Sequence, residues 1–114
     1  MNIFSSTAAS GLRHFSDRLQ GSANNVANVA TDGFKSVKVN GQTVQGGGVA
    51  SVVSRDQSPG MFAFDSAGEM RELSNTDLER EVVTQVAAGA AYAANLATLR
   101  AEEATVGSLF DRKA

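Results

Sequence analysis

Few side chains in this 114-residue chain have chemistry to offer. It has one histidine, His14, and no cysteine. Without cysteine there is no disulfide, no thiolate metal site and no cysteine nucleophile. A single histidine excludes a multi-histidine cage, and nothing around His14-Phe15 selects a serine and a carboxylate as triad partners. His14 therefore reads as a surface or interface residue. The acids Glu69, Glu72, Asp77, Glu79 and Glu81 lack the calcium-loop spacing of alternating Asp/Asn around a central Gly. They already have a structural use before and within a first helical turn, where negative charge suits the helix dipole. Gly46-Gly47-Gly48 is followed by no Gly-Lys-Ser/Thr and reads as a flexible loop, not a phosphate cradle. No catalytic residue, metal ligand or cofactor site is assigned, and a non-enzymatic chain is expected.

The elements that would position these residues are set by a small mass, 11.8 kDa. A compact chain of that size exposes about 5,900 Å² when folded and about 17,000 Å² when extended, enough for one small core. With 42% hydrophobic and 19% charged residues the chain is not disordered by composition. A net charge of −2 argues against nucleic acid or an anionic membrane surface as the main partner. Met1 to Thr7 has no Lys or Arg and no apolar run, so no secretory signal is expected. Any export would use a route without a cleaved signal. The lowest-polarity stretch, Val86 to Ala94, is far shorter than the roughly 18 apolar residues of a membrane span.

Composition divides the chain into residues 1–33, 34–73 and 74–114. In the first part Ala8, Leu12, Phe15, Leu19, Ser22, Val26 and Val29 alternate four- and three-residue steps, predicting a helix over about 6–30. Ser5, Ser6 or Thr7 would cap its start and Asp32-Gly33 would stop it. In the last part Leu78, Val82, Gln85, Gly89, Tyr92, Leu96, Leu99, Glu103, Val106 and Phe110 form one row, and Val83, Val86, Ala90, Ala93 and Ala97 a second. Together they predict a helix over 77–110 with a wide apolar face, capped by the box Thr76-Asp77-Leu78-Glu79. Its small residues Gly89, Ala93 and Ala97 would let another helix approach closely. Asn24, Asn25 and Asn28 point the same way, because amides on an apolar helix are costly unless they meet partners. The middle reads as a small β-element lying across the helices: a hairpin turning at Asn40-Gly41, a strand over 49–53, a turn at Ser58-Pro59-Gly60 and a strand over 61–64.

Two stretches carry a resemblance. Ala23-Asn24-Asn25-Val26-Ala27-Asn28-Val29-Ala30-Thr31-Asp32-Gly33-Phe34-Lys35, preceded by Ser10-Gly11-Leu12, resembles the N-terminal signature of the bacterial flagellar rod and hook (axial) proteins. Ser74-Asn75-Thr76-Asp77-Leu78, with Glu81, Val83, Tyr92, Ala94 and Asn95, is similar to that family's C-terminal helix. The short middle looks most like the proximal rod proteins. Ser74 to Leu78 is closer to distal rod and hook proteins, and Ala88 to Ala94 replaces three polar side chains of the family's pattern with small ones. The resemblance implies a mainly α protein whose long terminal helices pair as a coiled-coil-like hairpin around a small β-hairpin and strand region. It implies a subunit of the basal-body rod, in the periplasm, exported unfolded by the flagellar apparatus. Its partners would be other rod proteins and further copies of itself, with no nucleic acid and no direct membrane insertion. The implied assembly motif is Asn24, Asn25, Asn28, Thr31, Gly33 and Phe34. The expected helix-packing surface is Leu12, Phe15, Leu19, Val26, Leu78, Val82, Val86, Gly89, Tyr92, Ala93, Asn95, Leu96, Leu99, Val106 and Phe110. The alternative from the same residues is a helical-hairpin adaptor or divergent hook-like paralogue serving protein interaction.

Overall fold

A computed structural model describes residues 3–113. Its elements are α1 (Ile3–Ala27), β1 (Val37–Thr43), β2 (Val49–Arg55), β3 (Phe62–Phe64), β4 (Met70–Glu72) and α2 (Leu78–Lys113). The chain is mainly helical, with the two helices in contact and two small antiparallel sheets, β1–β2 and β3–β4, between them in sequence. The helices run antiparallel: Asn25 meets Glu81, and Asn95 lies where a side chain on Gly11 would be.

The seam between the helices is not the apolar row that the spacing suggests. On α2 its most enclosed line is Glu81, Ala88, Asn95 and Glu102, seven residues apart; of the expected first row Gln85, Gly89, Leu96 and Leu99 are half-buried beside it but Leu78, Val82 and Tyr92 are exposed, and the second row, Val83, Val86, Ala90, Ala93 and Ala97, is exposed throughout. A one-residue offset turns a helix by about 100°, which is what separates the two rows. The inner row is chosen by what α1 offers. Ser22 and Asn25 are buried there and require polar partners. On α1 the buried positions are Ala8, Gly11, His14, Ser22 and Asn25, with Leu12, Phe15, Leu19 and Val26 half-buried.

The ends of the helices also differ from expectation. α1 is already helical at Ile3, so Ser5, Ser6 and Thr7 are not its cap, and it ends at Ala27. Gly33, with φ +70°, serves a turn six residues later instead of the helix end. At α2 the cap is Asp77, whose Oδ1 accepts from Arg80 N–H at 3.3 Å. Thr76 N–H is bonded to Ser74 Oγ at 3.1 Å, so the Thr76–Glu79 box does not form.

Asn40-Gly41 is not a turn; the two residues lie inside β1, opposite Val52 and Ser51. The chain reverses at 44–48, where Gly46, Gly47 and Gly48 have φ of +92°, +106° and +94°, a region that side chains disfavour. Gly41 is needed for proximity instead: a Cβ there would stand 2.9 Å from Val49 Cγ2 and 3.1 Å from His14 Nε2. Gly21 similarly receives Val39, and Gly48 faces Ser10, so β1–β2 lies along α1. The β3–β4 pair touches neither helix.

The result is elongated, 78 × 25 × 14 Å, with a radius of gyration of 20.0 Å where a compact chain of this length has about 13 Å. The accessible surface is 7782 Å², well above the roughly 5,900 Å² of a compact fold. By length and composition alone α2 is also long and apolar enough to cross a membrane. The uncharged run is longer than Val86–Ala94, since Val82 to Leu99 contains no Asp, Glu, Lys or Arg.

The glycines make a direct check. A Cβ on Gly89 meets nothing within 4 Å, so Gly89→Ala should raise stability by about 1 kcal/mol through helix propensity. A Cβ on Gly60 would lie 2.0 Å from the Leu73 carbonyl oxygen. Gly60→Ala should therefore cost about 1–3 kcal/mol, the usual overpacking range. Thermal unfolding followed by circular dichroism reads both.

Candidate functional site

The motif residues converge where α1 ends, β1 begins and α2 begins. Asn25, 1% exposed, is the largest fully buried side chain among the described residues. Its Oδ1 accepts from Val37 N–H at 2.7 Å, and its Nδ2 donates to Val37 O at 2.8 Å and to Glu81 Oε1 at 3.0 Å. One carboxamide thus satisfies both backbone groups of the first β1 residue and ties them to α2. Glu81 is buried and is not the solvated or capping acid that its sequence neighbourhood suggests. Beside it Ser22 Oγ donates to Glu81 O at 3.2 Å and accepts from Gln85 Nε2 at 3.1 Å.

A second asparagine repeats the device one residue away. Asn75 Oδ1 accepts from Ser36 N–H at 2.7 Å, and its Nδ2 donates to Asp56 O and Ser58 O, both at 2.9 Å. Lys35 Nζ pairs with Glu72 and donates to Ser58 O at 3.0 Å. Gly33 N–H donates to Glu72 O at 2.9 Å, and the Arg55 guanidinium sits 5.8 Å from the centre of the Phe34 ring. Asn28 Nδ2 donates to Asn24 O at 2.9 Å, and Thr31 Oγ1 donates to Asn28 Oδ1 at 3.1 Å, closing the turn after α1. Of the six motif residues, Asn25 is buried, Asn28 and Phe34 are half-buried, and Asn24, Thr31 and Gly33 are exposed.

Sequence spacing singles out Asn24 and Asn25 of α1, but it does not pair Asn25 with Glu81 and Val37. Glu72 and Asn75 are legible only as a member of an acidic group and as part of the second motif. A buried polar residue on α1 implies a polar partner, but the sequence does not say which one.

The packing-surface residues separate into two groups. Leu12, Phe15, Leu19, Val26, Asn95, Leu96 and Leu99 are half-buried, whereas Leu78, Val82, Val86, Tyr92, Ala93, Val106 and Phe110 are exposed. Gly89 is half-buried but has no neighbour near its Cβ position, so the stripe Gly89, Ala93 and Ala97 does not face α1.

His14 is buried, not at the surface, and bridges α1 to β2. Ser51 Oγ–H donates to Asp17 Oδ2 at 2.7 Å, which leaves the Ser51 oxygen to accept from His14 Nδ1 at 3.1 Å. Nucleophilic activation requires the imidazole to accept the hydroxyl proton; here that proton points to Asp17. No cluster of His, Cys, Asp and Glu among the described residues could hold a metal ion.

No protein-family model matches the chain, and no curated protein matches it.

Two measurements test the junction. Asn25→Ala strands Val37 N–H, Val37 O and Glu81 without the carboxamide, and should cost about 2–4 kcal/mol given 1–3 kcal/mol per buried unsatisfied group. Asn24→Ala, on the exposed side, should fall within about 0.5 kcal/mol of the parent. Urea midpoints of the two variants decide. The second test uses pH. Hydrogen bonds from Ser58 and Lys38 hold Asp56 well below its ordinary 3.8, and Lys35 with Gly60 N–H lowers Glu72 from 4.5. Carboxylates depressed in the folded state stabilise it above their unfolded values and lose that contribution as pH falls through the folded ones. Stability should thus decline with acid below about pH 4.5, and Glu72→Gln combined with Asp56→Asn should flatten that slope in pH-dependent urea unfolding.

Proposed function

We propose that this chain is a structural subunit of the bacterial flagellar basal-body rod, one that assembles with further copies of itself and with other rod proteins. In this reading the helices pair as a coiled-coil-like hairpin, and the chain forms part of the shaft that links motor to hook. It binds no cofactor, catalyses no reaction and reaches the periplasm through the flagellar export apparatus.

The observation that carries the proposal is the bare apolar face of α2. Leu78, Val82, Val83 and Val86 are exposed while the seam beneath them is polar. Apolar area removed from water stabilises association by about 25 cal/mol per Å², and the chain exposes on the order of 1,900 Å² more than a compact fold of its mass. That excess exceeds the roughly 800 Å² per partner of a standard interface. The two motifs support the reading from the side of sequence. At the junction they act physically, fixing the angle at which the two helices and the hairpin leave one another.

A clean deletion should leave cells without filaments, and normal swimming in a strain without a paralogue would reject the rod assignment. Within α2, Ala93→Leu enlarges an exposed small residue. It should leave the monomer folded yet reduce motility strongly, because each subunit of a helical shaft repeats the defect. Glu103→Gln, also exposed, is the neutral control. Glu102 does not serve, since its carboxylate oxygens are buried. Equal motility of the Ala93 and Glu103 variants would remove the α2 face from the interface.

A further inference from the structure

Two apolar patches remain without a partner among the described residues, and they lie at opposite ends of the long axis. The antiparallel register, Asn25 with Glu81 and Gly11 with Asn95, puts the start of α1 level with about residue 103. α2 therefore continues for about ten residues, some 15 Å, past the first described residue of α1. This overhang carries Val106, Leu109 and Phe110 at i, i+3 and i+4, one face of the helix, with Phe110 72% exposed.

The other pole is the β3–β4 hairpin. It hangs from the asparagine junction through Gly33 N–H to Glu72 O and contacts neither helix. The 36 residues of α2 account for about 54 Å of the 78 Å axis. The remainder is shared by the junction, the hairpin turn and the three-residue strands of the hairpin, which at about 3.3 Å per residue add about 10 Å. Strand alternation sets Phe62 and Phe64 on one face, and the pairing of Phe64 with Met70 adds Met70 to it. All three are exposed, Phe64 by 73%. Asp65 in the hairpin turn is occupied by its own loop, accepting from Ala67 and Glu69 N–H.

We propose that the occupant of each patch is a second copy of this chain: the α2 overhang of one copy lies on the Phe62, Phe64 and Met70 face of the next. The inference rests on the reading that copies of this chain assemble, and it names the contact. Both surfaces are apolar, and each is flanked by exposed charges of both signs, Glu69 and Arg71 on the hairpin and Asp111 and Arg112 on the overhang, so neither side repels the other. With aromatic side chains burying 150–250 Å² each, the two patches supply on the order of 800 Å², and their polar rims bring the contact to the roughly 1,000 Å² that a specific interface needs. Because the patches differ and sit at opposite poles, the contact is heterologous and repeats as an open series.

The test uses the purified chain in sedimentation velocity across a concentration series. Parent protein should form a ladder of oligomers. Phe64→Glu and Phe110→Glu, both at exposed positions and checked for helix content by circular dichroism, should each weaken association at least tenfold. A mixture of the two should form a heterodimer and nothing longer, since it retains one intact overhang and one intact hairpin. Oxidation of mixed Met70→Cys and Leu109→Cys chains should trap the same heterodimer in this cysteine-free background. A parent that stays monomeric at every concentration, a Phe110→Glu variant that still forms long oligomers, or Cys–Cys homodimers in place of the mixed species would overturn the pole contact. The rod assignment is judged separately in cells. Normal swimming of the deletion strain alongside ladders in vitro rejects the rod and keeps the contact. A non-motile deletion with both Glu variants assembling like the parent does the reverse.

Discussion

A carboxamide offers one acceptor and two donor hydrogens, and Asn25 uses all of them where three segments meet. Two of its bonds take both backbone groups of Val37, whose strand partner is Arg55, and the third reaches Glu81 on the other helix. No apolar side chain could take this place, since the backbone groups of Val37 would then be buried without partners. The rest of the architecture follows from the position of this residue. It sets the register of α1 against α2, starts the β1–β2 hairpin back along α1, and decides which row of α2 faces inward. Asn75 secures the adjacent peptide of Ser36 in the same way, so the hairpin leaves the junction in one direction only.

That choice of a polar interior explains the shape. Among the described residues the buried hydrophobic core consists of Ala8 and Ala88, while His14, Ser22, Asn25, Ser36 and Glu81 are buried beside them. Hydrogen bonds exchange partners with water and contribute little net stability, but leaving one unmade is costly. A seam of this kind specifies geometry more strongly than it stabilises. The valines that would stabilise it point outward, and an elongated molecule with a small core is the outcome.

Both long helices and the intervening β-region are legible from periodicity and glycine content, because those signals are local. Gly46 to Gly48 are legible as a loop, yet the local signal for the hairpin reversal falls at Asn40-Gly41. Asn-Gly is a strong turn signal, but Gly41 is required by the closeness of Val49 on the paired strand and of His14 on α1, contacts set by register and packing that no local rule contains. The α2 face is displaced for a related reason. Apolar spacing identifies a stripe that seeks burial, but whether the partner lies within the chain or outside it depends on the tertiary register, which Asn25 and Glu81 set. The cap at Asp77, one residue beyond the expected Thr76, lies within the usual spread of helix boundaries.

The division between a polar inside and an apolar outside bears on how such a chain would assemble. Hydrophobic contact is non-directional, so exposed valines and phenylalanines alone would favour disordered association. Direction has to come from a rigid frame that holds the patches at fixed separations. The junction supplies one, because its hydrogen bonds are saturated and any rotation of α2 about its axis would break the link to Glu81. In the proposed assembly, stability left out of the monomer core would be available to the contacts between copies. The geometry of those contacts would be set in advance by two asparagines, neither of which needs to touch a neighbouring subunit.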